Sequence, residues 1–157
     1  MSGHDNVISL NLADEAATES FAARLSACIQ PGMVIYLIGD LGAGKTTLVR
    51  ALLNALGYNG HVKSPTYTLL EHYEIGGLHV RHFDLYRFNS SDEWEQAGFR
   101  DEFEQSNICL IEWPEKAQGF VPAADIEITF EILLDSRNLK IRTLTQIGRK
   151  CLKNLQH

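Results

Sequence analysis

Eight consecutive residues carry the clearest chemistry in this sequence. Gly39-Asp40-Leu41-Gly42-Ala43-Gly44-Lys45-Thr46 fits G-x-x-x-x-G-K-[ST] without exception. A phosphate chain needs several donors converging on it with no side chain in the way. Glycines at 39, 42 and 44 let the main chain wrap so that successive N–H groups point inward. A helix starting here aims its positive end at the same spot. Lys45 adds a point charge for the β- and γ-phosphates, and the Thr46 hydroxyl is an oxygen ligand for Mg2+. Leu41, Gly42, Ala43, Gly44, Lys45, Thr46 and Thr47 are therefore the predicted nucleotide-binding residues. The Lys45 side chain is expected to face solvent until a nucleotide arrives. The plain alternative is a glycine-rich turn that merely joins a strand to a helix.

No N-K-x-D guanine-reading motif occurs, which favours ATP over GTP. The metal also needs a carboxylate at the end of a neighbouring strand. Glu112 closes the run ICLIE, a hydrophobic strand followed by an acid, and Asp84 closes LHVRHFD. Strands flanking the phosphate-loop strand would bring both acids to one sheet edge, where open α/β sheets bind ligands. One acid could hold the metal or its water while the other orients the attacking water; a helix cap or a solvated loop acid is the plain alternative for each. Thr66, in Ser64-Pro65-Thr66-Tyr67-Thr68, stands where a switch residue could touch Mg2+ or the γ-phosphate, or where a proline turn simply enters a strand. His82 and Asp84 share a strand face, so a shared metal is conceivable, but an ordinary strand histidine beside a site acid is the simpler reading.

These residues need elements to position them. Residues 7–12 alternate like a short strand, and Ala17, Phe21, Leu25 and Cys28 recur at helical spacing before Pro31-Gly32. Residues 33–38 form an apolar run suited to a strand buried on both faces, and Leu48, Leu52 and Leu56 stripe the helix after the phosphate loop. Residues 66–75 and 78–84 around Gly76-Gly77 read as a hairpin. Ser91 reads as the N-cap of a short acidic helix, with another around 99–105. Residues 108–113 are a second buried strand, 126–134 alternate cleanly, and 139–145 return as a strand after a turn at 135–138. The stretch 146–157, with Arg149, Lys150 and Lys153, reads as a loosely ordered tail, frayed or loosely helical. The fold class is α/β: one P-loop NTPase-like domain over 1–157, with a mixed parallel and antiparallel sheet flanked by helices.

Composition agrees. The chain has 157 residues, 45% hydrophobic and 22% charged, and a net charge of −6 that argues against a general phosphate-backbone binder. No apolar run approaches a membrane span, and no secretory signal is visible, so a cytoplasmic protein is expected. Cys28, Cys109 and Cys151 are scattered, with no C-x-x-C pair, so neither a zinc site nor a disulfide framework is expected. Arg81, Arg87 and Arg100 could meet an acidic partner, with Trp113 and Phe120 as apolar anchors, or could sit on a solvated face.

GDLGAGKT, SPTYTLL, HFDLYR and IEWPEK, in that order and spacing, resemble the small bacterial ATPases called TsaE, earlier YjeE. The resemblance runs from about residue 7 to 145. It implies an ATP- and Mg2+-dependent accessory ATPase, weakly active alone, required for threonylcarbamoyl modification of adenosine 37 in tRNAs that read codons beginning with A. The implied partners are TsaD and TsaB, which form the carbamoyl-transferring pair, with tRNA met only indirectly. Carried onto this sequence, Lys45 and Thr46 belong to the phosphate loop, Thr66 is the switch-like residue, and Asp84 is the acid of the HFDLYR box. Glu112 is the acid of the IEW box and the expected metal ligand with Thr46. For the adenine, the corner at Asn11-Leu12 and the turn at Ser136-Arg137 are the candidates, since they would sit beside the phosphate loop. A small-molecule kinase and a non-catalytic ATP-gated binding module remain the alternatives. The chain shows no arginine-rich lid segment and is short for a second substrate pocket, which counts against the kinase.

Overall fold

The computed structural model describes residues 7–65 and 67–155. A central apolar strand, β2 (Val34–Ile38), feeds the phosphate loop and then helix α2 (Lys45–Ala55). On one side β2 pairs in parallel with β5 (Asn107–Glu112), which pairs in parallel with β4 (Leu78–Asp84), and β3 (Leu70–Ile75) closes that edge antiparallel to β4. On the other side β2 pairs in parallel with β6 (Ile126–Ile132). There β7 (Arg137–Thr143) and β1 (Val7–Leu12) extend the sheet antiparallel, giving the order β1-β7-β6-β2-β5-β4-β3. The mixed α/β sheet expected from the sequence is thus observed.

Side-chain alternation divides the core in two. Ile35, Leu37, Val80, Ile108, Leu110, Ile126 and Ile128 pack with Leu48 and Leu52 of α2, Phe21 and Leu25 of α1 (Glu15–Ser26), and Cys151 and Leu152. Val34, Phe83, Cys109 and Ile111 pack on the other side with Trp94 of α3 (Asp92–Ala97) and Phe99. Trp94 is therefore a core residue. Both faces are covered, which is why β2 and β5 read as unbroken apolar runs.

Several local expectations are corrected. The hairpin's first strand starts at Leu70 rather than 66, because residues 67–69 turn: Leu69 takes a positive φ of 70° and its N–H bonds the Pro65 carbonyl at 2.7 Å. Ser91 makes no side-chain cap; the Glu93 carboxylate reaches back to the Asn89 and Ser90 N–H groups instead. The second helix there is a short 3-10 turn, Phe99–Glu102.

The two larger corrections concern the C-terminal stretch and the cysteines. Where a frayed or loosely helical tail was expected, Gln146–Leu155 form a seated helix α4, with Gly148, Cys151, Leu152 and Leu155 buried. Those four positions make one stripe at helical spacing, obscured in the sequence by Arg149, Lys150 and Lys153. Arg24 of α1 donates to the Leu155 carbonyl at 2.9 Å, tying the two helices together. Cys28 and Cys151 form a disulfide between the end of α1 and α4, with Cα atoms 5.1 Å apart. The pair lies 123 residues apart in sequence, so no local spacing rule could detect it. Cys109 is free and buried. Among the described residues no helix is long and apolar enough to cross a membrane.

Candidate functional site: the carboxyl ends of three strands

The site forms where β2, β5 and β4 end. Register fixes its geometry: Leu37 pairs with Glu112, and Glu112 pairs with Asp84. Asp84 does not flank the phosphate-loop strand as expected. It sits one strand further out, across β5, and still reaches the same edge because parallel strands end in step. His82, Asp84 and Glu112 share the strand parity of Val80 and Leu110, so all three belong to the α2 side of the sheet.

The N-cap of α2 is Gly44, whose φ of 106° is costly for any side-chain-bearing residue. No side chain caps this helix and no acidic residue lies in its first turn, so its N–H donors are free of an internal anion. Lys45 is the first helical residue. Contrary to expectation it does not face solvent: it is 4% exposed. Its Nζ donates to the Gly39 carbonyl at 2.5 Å, lies 3.9 Å from Glu112 Oε1 and sits 4.2 Å from the Trp113 ring centroid. The apolar ring and the sheet end fold over the ammonium, a contact that sequence spacing cannot reveal. Burial lowers the Lys45 pKa, and Glu112, Asp84, Glu115 and Asp40 oppose that shift.

The acids are held differently. Asp84 Oδ1 accepts from the Tyr86 N–H at 3.0 Å. Burial raises its pKa above the ordinary aspartate value; the Tyr86 bond pulls it down, the Glu112 charge pushes it up, and His82 and Lys45 pull it down. Glu112, 3% exposed, places Oε2 2.6 Å from His82 Nε2. Trp113 follows with a positive φ of 59°, turning the chain so that its ring covers Lys45 and meets Tyr86 at 5.0 Å. Trp113, offered by the sequence as a partner anchor, therefore lines the candidate site.

Beside the phosphate loop lies a cleft of about 480 Å³, lined by Leu12, Gly42, Gly44, Thr47, Phe130 and Arg137 among others. That volume suits a small ligand. Ser136 also lines it, whereas Asn11 stands behind, its amide donating to Ser136 Oγ at 3.0 Å. Arg137 reaches the Gly42 carbonyl at 3.5 Å, and Leu41 stands 62% exposed. Ala43 is buried and Thr46 half-buried. Sequence reasoning missed Phe130, which alternation marked only as a core residue, and Arg50, which had no signal. Thr66 lies outside the described residues.

Other candidates resolve into ordinary roles. Arg81 is engaged by Glu74 at 2.9 Å and Glu102 at 3.2 Å, so it is not a free partner-binding cation. Arg100 pairs with Glu95 at 2.7 Å, and Arg87 lies over the Tyr67 ring at 5.0 Å. The Cys109 thiol is pushed up to about 12 by burial, unsuited to nucleophilic work. Among the described residues no group of three or more His, Cys, Asp or Glu could hold a metal. The oxygen donors present, the Thr46 hydroxyl and the two carboxylates, suit Mg2+, which needs only one or two protein carboxylates when phosphates supply the rest.

Comparison with known proteins agrees with this geometry. A family model described as "Threonylcarbamoyl adenosine biosynthesis protein TsaE" matches residues 12–139. A protein of Haemophilus influenzae named "tRNA threonylcarbamoyladenosine biosynthesis protein TsaE" is 48% identical over 123 residues, 78% of each chain. One of the same name from Bacillus subtilis is 34% identical over 133 residues, 85% of this chain and 82% of that one. The crystal structure of Bacillus subtilis YdiB superposes with a TM-score of 0.78 at 26% identity, covering 96% of this chain and 94% of the other. On these matches, which span both the phosphate loop and the two acid-bearing strands, the chain belongs to the TsaE family.

Proposed function

We propose that this chain is a Mg2+-dependent ATPase whose single nucleotide site serves the threonylcarbamoyl modification of tRNA. Membership of the TsaE family gives it a role in tRNA threonylcarbamoyladenosine biosynthesis. The observation that carries the ATPase reading is the convergence of Lys45, Glu112 and Asp84 at one sheet edge beneath the phosphate loop.

In this reading the loop amides and the α2 N-terminus receive the phosphates. Lys45 exchanges its present contact with the Gly39 carbonyl for the β- and γ-phosphates. Thr46 and Glu112 would hold Mg2+, which would supply charge neutralisation at the phosphates. Asp84 would accept a hydrogen bond from the attacking water, and its raised pKa makes it a better base than an ordinary aspartate. Thr66 would act as the switch residue of the 64–68 segment. Leu69, just beyond that segment, accepts from the Asp84 N–H at 3.1 Å. The adenine would occupy the cleft by Leu12, Phe130, Ser136 and Arg137. The family role further suggests partnership with TsaD and TsaB, with tRNA contacted through them.

The test is a reconstituted modification reaction containing TsaD, TsaB, tRNA and the threonylcarbamoyl-adenylate donor. Adding this chain with Mg-ATP should restore repeated turnover, and Glu112→Gln should not. Repeated turnover at the same rate without the chain would refute the proposal.

A further inference from the structure

His82 has no exposed surface, yet nothing in the proposed chemistry uses it. Its Nε2 lies 2.6 Å from Glu112 Oε2. Its Nδ1 is buried with no hydrogen-bond partner among the described residues. Together these locate the ring proton. A bare Nε2 would set a lone pair against a carboxylate oxygen at that distance, while Nδ1–H became an unmet buried donor. With the proton on Nε2, the short contact is a donated bond and a single acceptor lone pair on Nδ1 is left unmet, instead of a lone-pair clash and an unmet donor together. That bond occupies Oε2, and the other carboxylate oxygen, Oε1, is the one facing Lys45 Nζ at 3.9 Å.

We propose that His82 is the positioning residue of Glu112: its Nε2–H locks one carboxylate oxygen so that the other is presented to the phosphate loop. This deepens the ATPase reading and rests on it. His82 touches neither nucleotide nor metal; it acts through a carboxylate that would otherwise rotate about three bonds. The register explains why the pair can form. His82 on β4 pairs with Leu110, two residues before Glu112 on the neighbouring strand, and both side chains emerge on the α2 face. A histidine retained only for packing would be replaceable by any ring of similar volume.

Two substitutions separate these roles. His82→Phe fills the space without a donor, whereas His82→Gln places an amide N–H at about the reach of Nε2. Calorimetric Mg-ATP affinity and steady-state hydrolysis are measured for both variants and the parent chain, with the histidine 15N spectrum of the parent. His82→Phe should lower kcat about 10- to 100-fold while KM and the Mg-ATP Kd stay within about threefold. His82→Gln should recover at least about tenfold of that loss. The parent spectrum should show the His82 proton on Nε2, with a signal that shifts on Glu112→Gln. Equal kcat in all three proteins, equal loss in both variants, or a proton on Nδ1 would overturn the positioning role. If His82→Phe does not fold, recovery is read as His82→Gln turning over within about tenfold of the parent; a slower rate, or a proton on Nδ1, then overturns the proposal. A parent chain that binds no Mg-ATP would overturn the ATPase reading and this proposal together, an outcome distinct from a parent that hydrolyses ATP at the variants' rate.

Discussion

Asp84, the proposed base, is held where its charged form costs the fold stability. Its pKa in the fold lies above the ordinary aspartate value of 3.8, burial being the main cause. The folded chain therefore holds this proton more tightly than the unfolded chain, and stability falls as pH rises from the unfolded pKa through the folded one. Asp84→Asn removes the ionisation and keeps an oxygen able to accept from the Tyr86 N–H. It should melt higher than the parent at pH 7, with an advantage that shrinks as pH falls toward the ordinary carboxylate range, while hydrolysis drops about 100-fold or more. Melting curves across pH beside a hydrolysis assay check both halves; a lower melting temperature at pH 7 would make Asp84 a structural residue.

Among the elements, α4 differs most from what its sequence pattern announces. The phosphate loop, β2, β5 and the β6–β7 pair were legible because motif and periodicity agree there. Helix α4 was legible only as a frayed or loosely helical tail, and its packed face was not, because the stripe of Gly148, Cys151, Leu152 and Leu155 is broken by three cations and opens on a glycine. That glycine explains itself only in three dimensions: a Cβ at 148 would stand 2.2 Å from the Asp125 carbonyl oxygen. Gly148→Ala, normally favourable in a helix, should instead cost about 1–3 kcal/mol as α4 lifts from the start of β6. A denaturant titration measures this, and an unchanged midpoint would mean α4 is not seated so closely. The acids of the site were legible by type and strand position, but their partners were not. His82 against Glu112 and Trp113 over Lys45 are contacts across strands and turns, with no local pattern to announce them.

The whole molecule divides into a site edge and a clasp. The strand ends carry the proposed chemistry, while the Cys28–Cys151 disulfide and the bond from Arg24 to Leu155 pin α4 to α1. A cross-link closing so long a loop restricts the unfolded chain strongly. Reducing it, or replacing Cys151 by Ser, should lower stability by about 2–4 kcal/mol in denaturant titration, with Mg-ATP binding retained because neither cysteine lines the cleft beside the phosphate loop. Identical midpoints for oxidised and reduced protein would remove the clasp from the account. The central claim is that the ends of β2, β4 and β5 make one Mg-ATP site. It is tested most directly by calorimetric titration of Mg-ATP into the intact chain, with Lys45→Met as the control. One binding event per chain is expected, weakened about 10- to 150-fold by Lys45→Met, since a hydrogen bond to a charged group contributes about 1.5–3 kcal/mol. No binding heat, or equal affinity in both proteins, would contradict it.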